Sequence, residues 1–194
     1  GIRIVDTNND GSLTPEDRVA LGTPYPDFTW GITNTFQIKD FDISFLIQGV
    51  QGITVLNGDV YYNETKKRNK KYTKNRWVSA EHPGDGKTPY QNVKTGHDLM
   101  LTDYPLQNAS YACLRNFTVG YTLPATAARK IKLSGVRFYV SGSNLLYIWG
   151  SGYKGINPES RMTSGNYSSA MISGYQRGGF PLTSTISAGF DINF

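Results

Sequence analysis

Strict alternation of apolar and small polar residues is the dominant pattern of the chain. From Asp27 to Ile38 the even positions read Phe28, Trp30, Ile32, Asn34, Phe36 and Ile38, and the odd positions Thr29, Gly31, Thr33, Thr35 and Gln37. Successive side chains of a strand point to opposite faces, so this run predicts a strand with one apolar face and one small, polar face. Lys39-Asp40 then reads as a tight turn. From Phe41 the apolar set is Phe41, Ile43, Phe45 and Ile47, against Asp42, Ser44, Leu46 and Gln48, and the two runs predict a hairpin. Cys113, Phe117, Val119, Tyr121 and Leu123 alternate with Leu114, Asn116, Thr118, Gly120 and Thr122, with Arg115 off the pattern and Pro124 ending it. Residues 125–134 form a short connection with a turn or two of helix. Val136, Phe138 and Val140 restart the alternation, which runs to about Leu146. In the last run Leu182, Ser184, Ile186, Ala188, Phe190, Ile192 and Phe194 oppose Thr183, Thr185, Ser187, Gly189, Asp191 and Asn193.

Each of these five runs spans roughly 10–14 residues. A strand that crosses a bilayer needs about 9–11, whereas the mean soluble strand has about 5–6. The connections alternate in length: two residues, then about sixty, then about eleven, then about thirty-five. Outer-membrane barrels join their strands by short periplasmic turns and long extracellular loops. The expectation is therefore an all-β, transmembrane antiparallel β-barrel. Residues 39–40 and 124–134 are its periplasmic turns, and residues 1–26, 51–109 and 147–181 its extracellular segments. Five strands cannot close a barrel, which starts at eight, and an open sheet leaves unpaired edges. The 27–194 region is thus expected to be a partial set of about five carboxy-terminal strands of a larger barrel. The competing reading is a secreted β-sandwich binding module.

Composition sharpens this. The 194 residues are only 38% hydrophobic and 18% charged but 13% aromatic, with 13 Tyr and 21 Gly. That is too rich in aromatics for disorder, and no apolar run is long enough for a transmembrane helix. The single cysteine, Cys113, excludes an internal disulfide and a Cys-based zinc site, and reads as a small apolar residue. The chain opens on Gly1 with no signal peptide, the expectation for a processed chain or a piece of a longer polypeptide. The net charge of +5 is local: Lys66, Lys67, Arg68, Lys70, Lys71, Lys74 and Arg76 leave the remainder slightly acidic. Tyr72 lies among these charges and Trp77 just after them, but no nucleic-acid motif accompanies them, so a solvated loop face is expected and no nucleic-acid partner.

The sharpest motif is Asp6-Thr7-Asn8-Asn9-Asp10-Gly11-Ser12-Leu13-Thr14-Pro15-Glu16-Asp17. Asp6, Asn8 and Asp10 stand at positions one, three and five of an EF-hand-type loop. Gly11 is at the sharp turn, Ser12 offers a backbone carbonyl at seven, and Asp17 closes at twelve. Asp rather than Glu at twelve resembles the dockerin-type variant. The expectation is a structural calcium site on the 1–26 segment, against a loop whose Asx side chains cap its own backbone. His82 and His97 have no third ligand at metal spacing. No nucleophile elbow is present, so no catalytic residue is expected. Tyr104, Tyr147, Trp149 and Tyr153 lie near strand ends or in loops, where interface girdle or loop packing is expected and sugar stacking is the alternative.

Several of these stretches together resemble one family. The Asp6–Asp17 loop followed by Asp17-Arg18, Leu21-Gly22-Thr23-Pro24-Tyr25-Pro26-Asp27-Phe28 and Gly31 resembles the SusC/RagA family of TonB-linked outer-membrane transporters. So do Phe41-Asp42-Ile43-Ser44, Gln48-Gly49-Val50-Gln51-Gly52 and Asn75-Arg76-Trp77. Leu114 to Pro124 is similar to a late strand of that family and Arg137 to Leu145 to the next. Tyr153 with Asn157-Pro158-Glu159 is similar to its Gly-Tyr…Asp-Pro-Glu loop, with Asn157 where Asp is usual. The resemblance implies a 22-stranded barrel with a plugged lumen, of which this is the carboxy-terminal part. It also implies a bacterial outer-membrane location and TonB-dependent import of oligosaccharides or peptides. The implied partners are a SusD-like surface lipoprotein, TonB acting through an amino-terminal part not in this sequence, and outer-membrane lipid. A dimer of transporter–lipoprotein pairs is a further implication.

Overall fold

The computed structural model describes residues 4–59, 75–90, 102–160 and 174–194. It resolves into two compact units, Asp27–Gln51 with Ser110–Gly150 and Pro181–Phe194, and Gly1–Pro26 with Gly52–Ala109 and Ser151–Phe180. Among the described residues no helix is long and apolar enough to cross a membrane.

The first unit is one antiparallel sheet. Its strands are β1 (Phe28–Ile38), β2 (Phe41–Gln51), β5 (Tyr111–Thr122), β6 (Gly135–Trp149) and β8 (Thr185–Asn193), in the order β1-β2-β5-β6-β8. All five predicted strands form. Lys39 takes a left-handed conformation (φ 55°), which lets two residues reverse the chain between β1 and β2. Helix α1 (Ala125–Lys130) bridges β5 and β6, entered from Pro124. Register fixes the faces. Asn34, Phe45, Phe117, Gly142 and Ile186 lie in one row across the sheet, and Thr35, Ser44, Thr118, Ser141 and Ser187 in the next. One face is therefore apolar and the other polar across all five strands. Phe28, Ile32, Phe36, Phe41, Phe138, Val140, Ile186 and Phe190 on the apolar face are each 46–73% exposed. A β-sandwich would bury this face against a second sheet, so the sandwich expectation is corrected. Tilted ring pairs tie neighbouring strands on it, Phe41 with Tyr121 (4.8 Å) and Phe36 with Phe45 (6.1 Å).

Arg115 explains the one break in the alternation. The β2–β5 register shifts there: Leu46 pairs with Asn116, but Ile47 pairs with Leu114. The extra residue is a β-bulge, and it exchanges the faces beyond it. Cys113 had been grouped with Phe117 by parity. The bulge instead pairs it with Gln48 on the polar side, where it is buried, and brings Leu114 onto the apolar face beside Ile47. A matching irregularity in β6 at Asn144 (φ 55°) lets that strand continue to Trp149, beyond the expected end near Leu146. It also sets the start of β8 at Thr185 rather than Leu182. Past Ser143 the ladder stops, and Ser184 Oγ donates instead to the Asn144 carbonyl (2.7 Å).

The second unit carries a small sheet of β3 (Thr54–Asn57), β4 (Leu106–Asn108) and β7 (Tyr175–Gln176), in the order β4-β3-β7, with β7 parallel to β3. Sequence periodicity missed all three because two to four residues are too few to show a period. Ile53, Val55, Ala109 and Tyr153 form its apolar core. Buried amides complete it: Asn57 Nδ2 donates to Gln107 Oε1 (3.0 Å) and Tyr153 Oη to Gln176 Oε1 (2.8 Å). Such groups are tolerated in a core only when paired.

Candidate functional site

The Asp6–Asp17 loop closes on itself through its acidic side chains. Asp6 accepts from Asn9 N (2.7 Å) and Gly11 N (2.8 Å), Asn8 Oδ1 from Asp10 N (3.0 Å), and Asp10 Oδ1 from Ser12 N (2.7 Å). Gly11 has φ 81°, the left-handed turn that the motif requires. Asp17 ends the loop in the short 3₁₀ turn Pro15–Asp17 and reaches back to Thr7 N (2.8 Å) and Thr14 N (2.8 Å). Those N–H donors hold its carboxyl below the usual range. Sequence spacing therefore brings Asp6, Asn8, Asp10, Ser12 and Asp17 into one loop. The carboxylate oxygens bonded to N–H groups keep further lone pairs for a cation. Among the described residues no three His, Cys, Asp or Glu side chains converge as a metal cluster.

The other singled-out residues separate. Tyr153 is 4% exposed and packs the small sheet, as loop packing rather than sugar stacking requires. Tyr147 and Trp149 stand on β6, where Tyr147 meets Tyr111 at 6.0 Å. Trp77 makes an edge contact with Tyr90 (6.1 Å). His82 sits in a turn in which Val78 N donates to its carbonyl (3.0 Å). Lys66, Lys67, Arg68, Lys70, Lys71, Tyr72, Lys74 and His97 lie outside the described residues. Asp85 anchors another turn: its Oδ1 accepts from Lys87 N (2.9 Å) and Thr88 N (2.6 Å), and its Oδ2 from Thr88 Oγ1 (2.8 Å). These bonds lower its pKa to about 2. A depressed carboxyl stabilises its turn above the unfolded value of about 3.9 and loses that contribution as pH falls through the folded value. The Thr88 amide resonance should thus titrate with a midpoint near 2. A midpoint near the ordinary carboxylate value would contradict the anchoring role.

On the polar face of the sheet, two guanidinium clusters join strands that are not neighbours in sequence. Arg137 of β6 reaches across β5 to Asp42 of β2, Nε to Oδ1 at 3.0 Å and Nη2 to Oδ2 at 2.6 Å. Its Nη1 meets Asp191 of β8 at 3.3 Å, and its guanidinium lies 5.3 Å from the Tyr139 ring centre. Gly120 of β5 makes the crossing possible, since a Cβ there would collide with both Asp42 and Arg137. The second cluster forms at the bulge. Arg115 Nη1 donates to Asn144 Oδ1 (2.7 Å) and Tyr147 Oη (2.9 Å). With the Gln48 amide oriented oxygen-first, its oxygen accepts from Arg115 Nε (3.1 Å) and Nη2 (2.6 Å). Sequence reasoning missed both clusters. Their only signal was charge at polar positions of otherwise Ser-, Thr- and Gly-lined strands.

No protein-family model matches the chain. All of it aligns at 29% identity with TonB-dependent receptor P26 of Formosa agariphila, over 20% of that protein. Four-fifths of it aligns at 28% identity with TonB-dependent receptor SusC of Bacteroides thetaiotaomicron, over 15% of that protein. The chain thus spans about a fifth or less of the length of these relatives. In fold it matches 20% of a chain of the RagAB peptide importer in its closed-closed state, with 95% of this chain covered, TM-score 0.64 and 19% identity. Along its whole length the chain is thus similar to TonB-dependent receptors, and over four-fifths of it to SusC, and its sheet with an open apolar face has the fold of a stretch of outer-membrane β-barrel wall.

Proposed function

We propose that this stretch supplies barrel wall and long outer connections to a TonB-dependent importer of oligosaccharides or peptides, and that it catalyses no reaction. The carrying observation is the two-faced sheet. Its apolar side suits lipid, and its polar side, with Asp42, Arg115, Arg137 and Asp191, suits a lumen that solute and plug share. Phe28, Gln51, Tyr111 and Trp149 lie at one end of the sheet, where the chain leaves for its long connections. We assign that end to the cell exterior, in reach of a SusD-like surface lipoprotein. The short Lys39-Asp40 turn and the α1 connection face the periplasm. TonB acts through the remainder of the protein. In cells carrying the whole receptor, uptake of its solute should collapse without TonB or without an energised inner membrane. Undiminished uptake in either case would overturn the reading.

The Asp6–Asp17 loop is proposed, on its spacing, to hold a structural Ca²⁺. External modules of this kind bind at about 10⁻⁴–10⁻³ M, so the outer side suits a weak site. Asp10→Asn keeps the acceptor for Ser12 N and removes one negative charge. It should weaken Ca²⁺ binding to the whole receptor about tenfold in calorimetry while the loop keeps its backbone. Equal Ca²⁺ heats in both proteins, or none in either, would leave an Asx loop without metal.

A further inference from the structure

In the unit that carries the small sheet, a cavity of about 660 Å³ opens between the Asp85–Thr88 turn, β4 and the start of the 151–160 segment. That is within the roughly 300–1,000 Å³ of small-molecule sites. Its walls combine apolar surface, Tyr104 and Leu106 among it, with a set of convergent polar and charged groups. Gln107 on β4 is the informative one. It is 8% exposed. Its Oε1 is turned onto Asn57 Nδ2 (3.0 Å) and Lys154 N (2.9 Å), and its amino group has no acceptor among the described residues. A buried amide N–H₂ without an acceptor is unfavourable unless something entering the cavity accepts from it. Nearby, the Asp103 carboxylate and the Lys87 ammonium also bond to no described side chain. Tyr104 adds a ring with Lys154 Nζ 5.4 Å from its centre. The two lysines balance Asp85 and Asp103, so the wall favours no net charge in its occupant.

We propose that this cavity is a capture subsite for a short stretch of an uncharged oligosaccharide, a proposal that rests on the import reading above. Hydroxyl groups both donate and accept, so vicinal pairs can meet Asp103, Gln107 and Lys87 together. A ring face can lie against Tyr104. A peptide backbone presents its donors and acceptors singly along the chain rather than as vicinal pairs, so it matches the Asp103, Gln107 and Lys87 groups less well. The Asp85–Thr88 turn pre-forms one side, because Thr88 is 3% exposed and bonded twice to the Asp85 carboxylate.

The test uses the whole receptor in detergent on two arrays, one of neutral gluco-, xylo- and manno-oligosaccharides and one of random-sequence peptides. Lys87→Ala/Asp103→Ala removes side chains with no described partner, and Ser151→Trp fills the cavity from an exposed position. Both should bind the glycans captured by the native receptor about tenfold more weakly or worse, the first through loss of one or two charge-assisted hydrogen bonds and the second through loss of space for the ligand. Heat-modifiable gel mobility should show both barrels folded as in the native protein. Native-like glycan binding by folded variants would overturn the subsite and leave the import reading intact. Capture of peptides alone would overturn the ligand class. A receptor that captures nothing on either array would remove the import reading as well.

Discussion

Phe45→Arg is expected to cost the folded receptor about 2–4 kcal/mol, while Thr118→Arg should cost little. Phe45 lies in the apolar row with Asn34, Phe117, Gly142 and Ile186, and Thr118 in the polar row with Thr35, Ser44, Ser141 and Ser187. The rows are adjacent, so the two sites sit at nearly the same depth and differ only in the face. On the lipid face the guanidinium loses its water and finds no partner in hydrocarbon. On the lumen face it stays hydrated and has hydroxyls in reach. Urea titration of the whole receptor in lipid, followed by heat-modifiable mobility, measures both. Equal destabilisation would reject the assignment of faces. An inverted result would place lipid on the polar side.

Arg137→Leu should destabilise the barrel by about 1–3 kcal/mol, the range for a hydrogen bond to a charged group whose partner is left uncompensated. The two-point bond to Asp42 and the contact with Asp191 tie β2, β6 and β8 together over Gly120. Removing the cation leaves two carboxylates facing each other's field with no counter-charge. Each of the ion-pair side chains Arg137 and Asp42 is 32% exposed, so water screens part of the loss and the upper end of the range is not expected. Arg137→Lys separates the contributions, since a lysine keeps the charge but cannot make the two-point bond. It should recover less than half of the stability. Full recovery by lysine, or no loss in the leucine variant, would show that the fork geometry contributes nothing.

The outline of the sheet was legible from residue order because a strand's side chains alternate with a period of two, whatever they pack against. Phe28 to Ile38, Phe41 to Ile47 and Ile186 to Ile192 declare their faces locally, and Lys39-Asp40 declares the hairpin. The Asp6–Asp17 loop was legible for the same reason, since all of its groups lie within twelve residues and bond to one another's backbone. Tertiary structure decided what depends on register. Arg115 was visible only as an irregularity, and pairing with β2 and β6 made it a bulge that moved Cys113 to the polar side. Arg137 meets Asp42 across 95 residues of sequence, and Gln107 meets Asn57 across 50, separations that no local pattern encodes. The strands β3, β4 and β7 are too short to carry a period and exist through pairing with one another. Local alternation thus decided which residues share a face within each unbroken run, and only long-range pairing decided where a run breaks and which charges meet on the face.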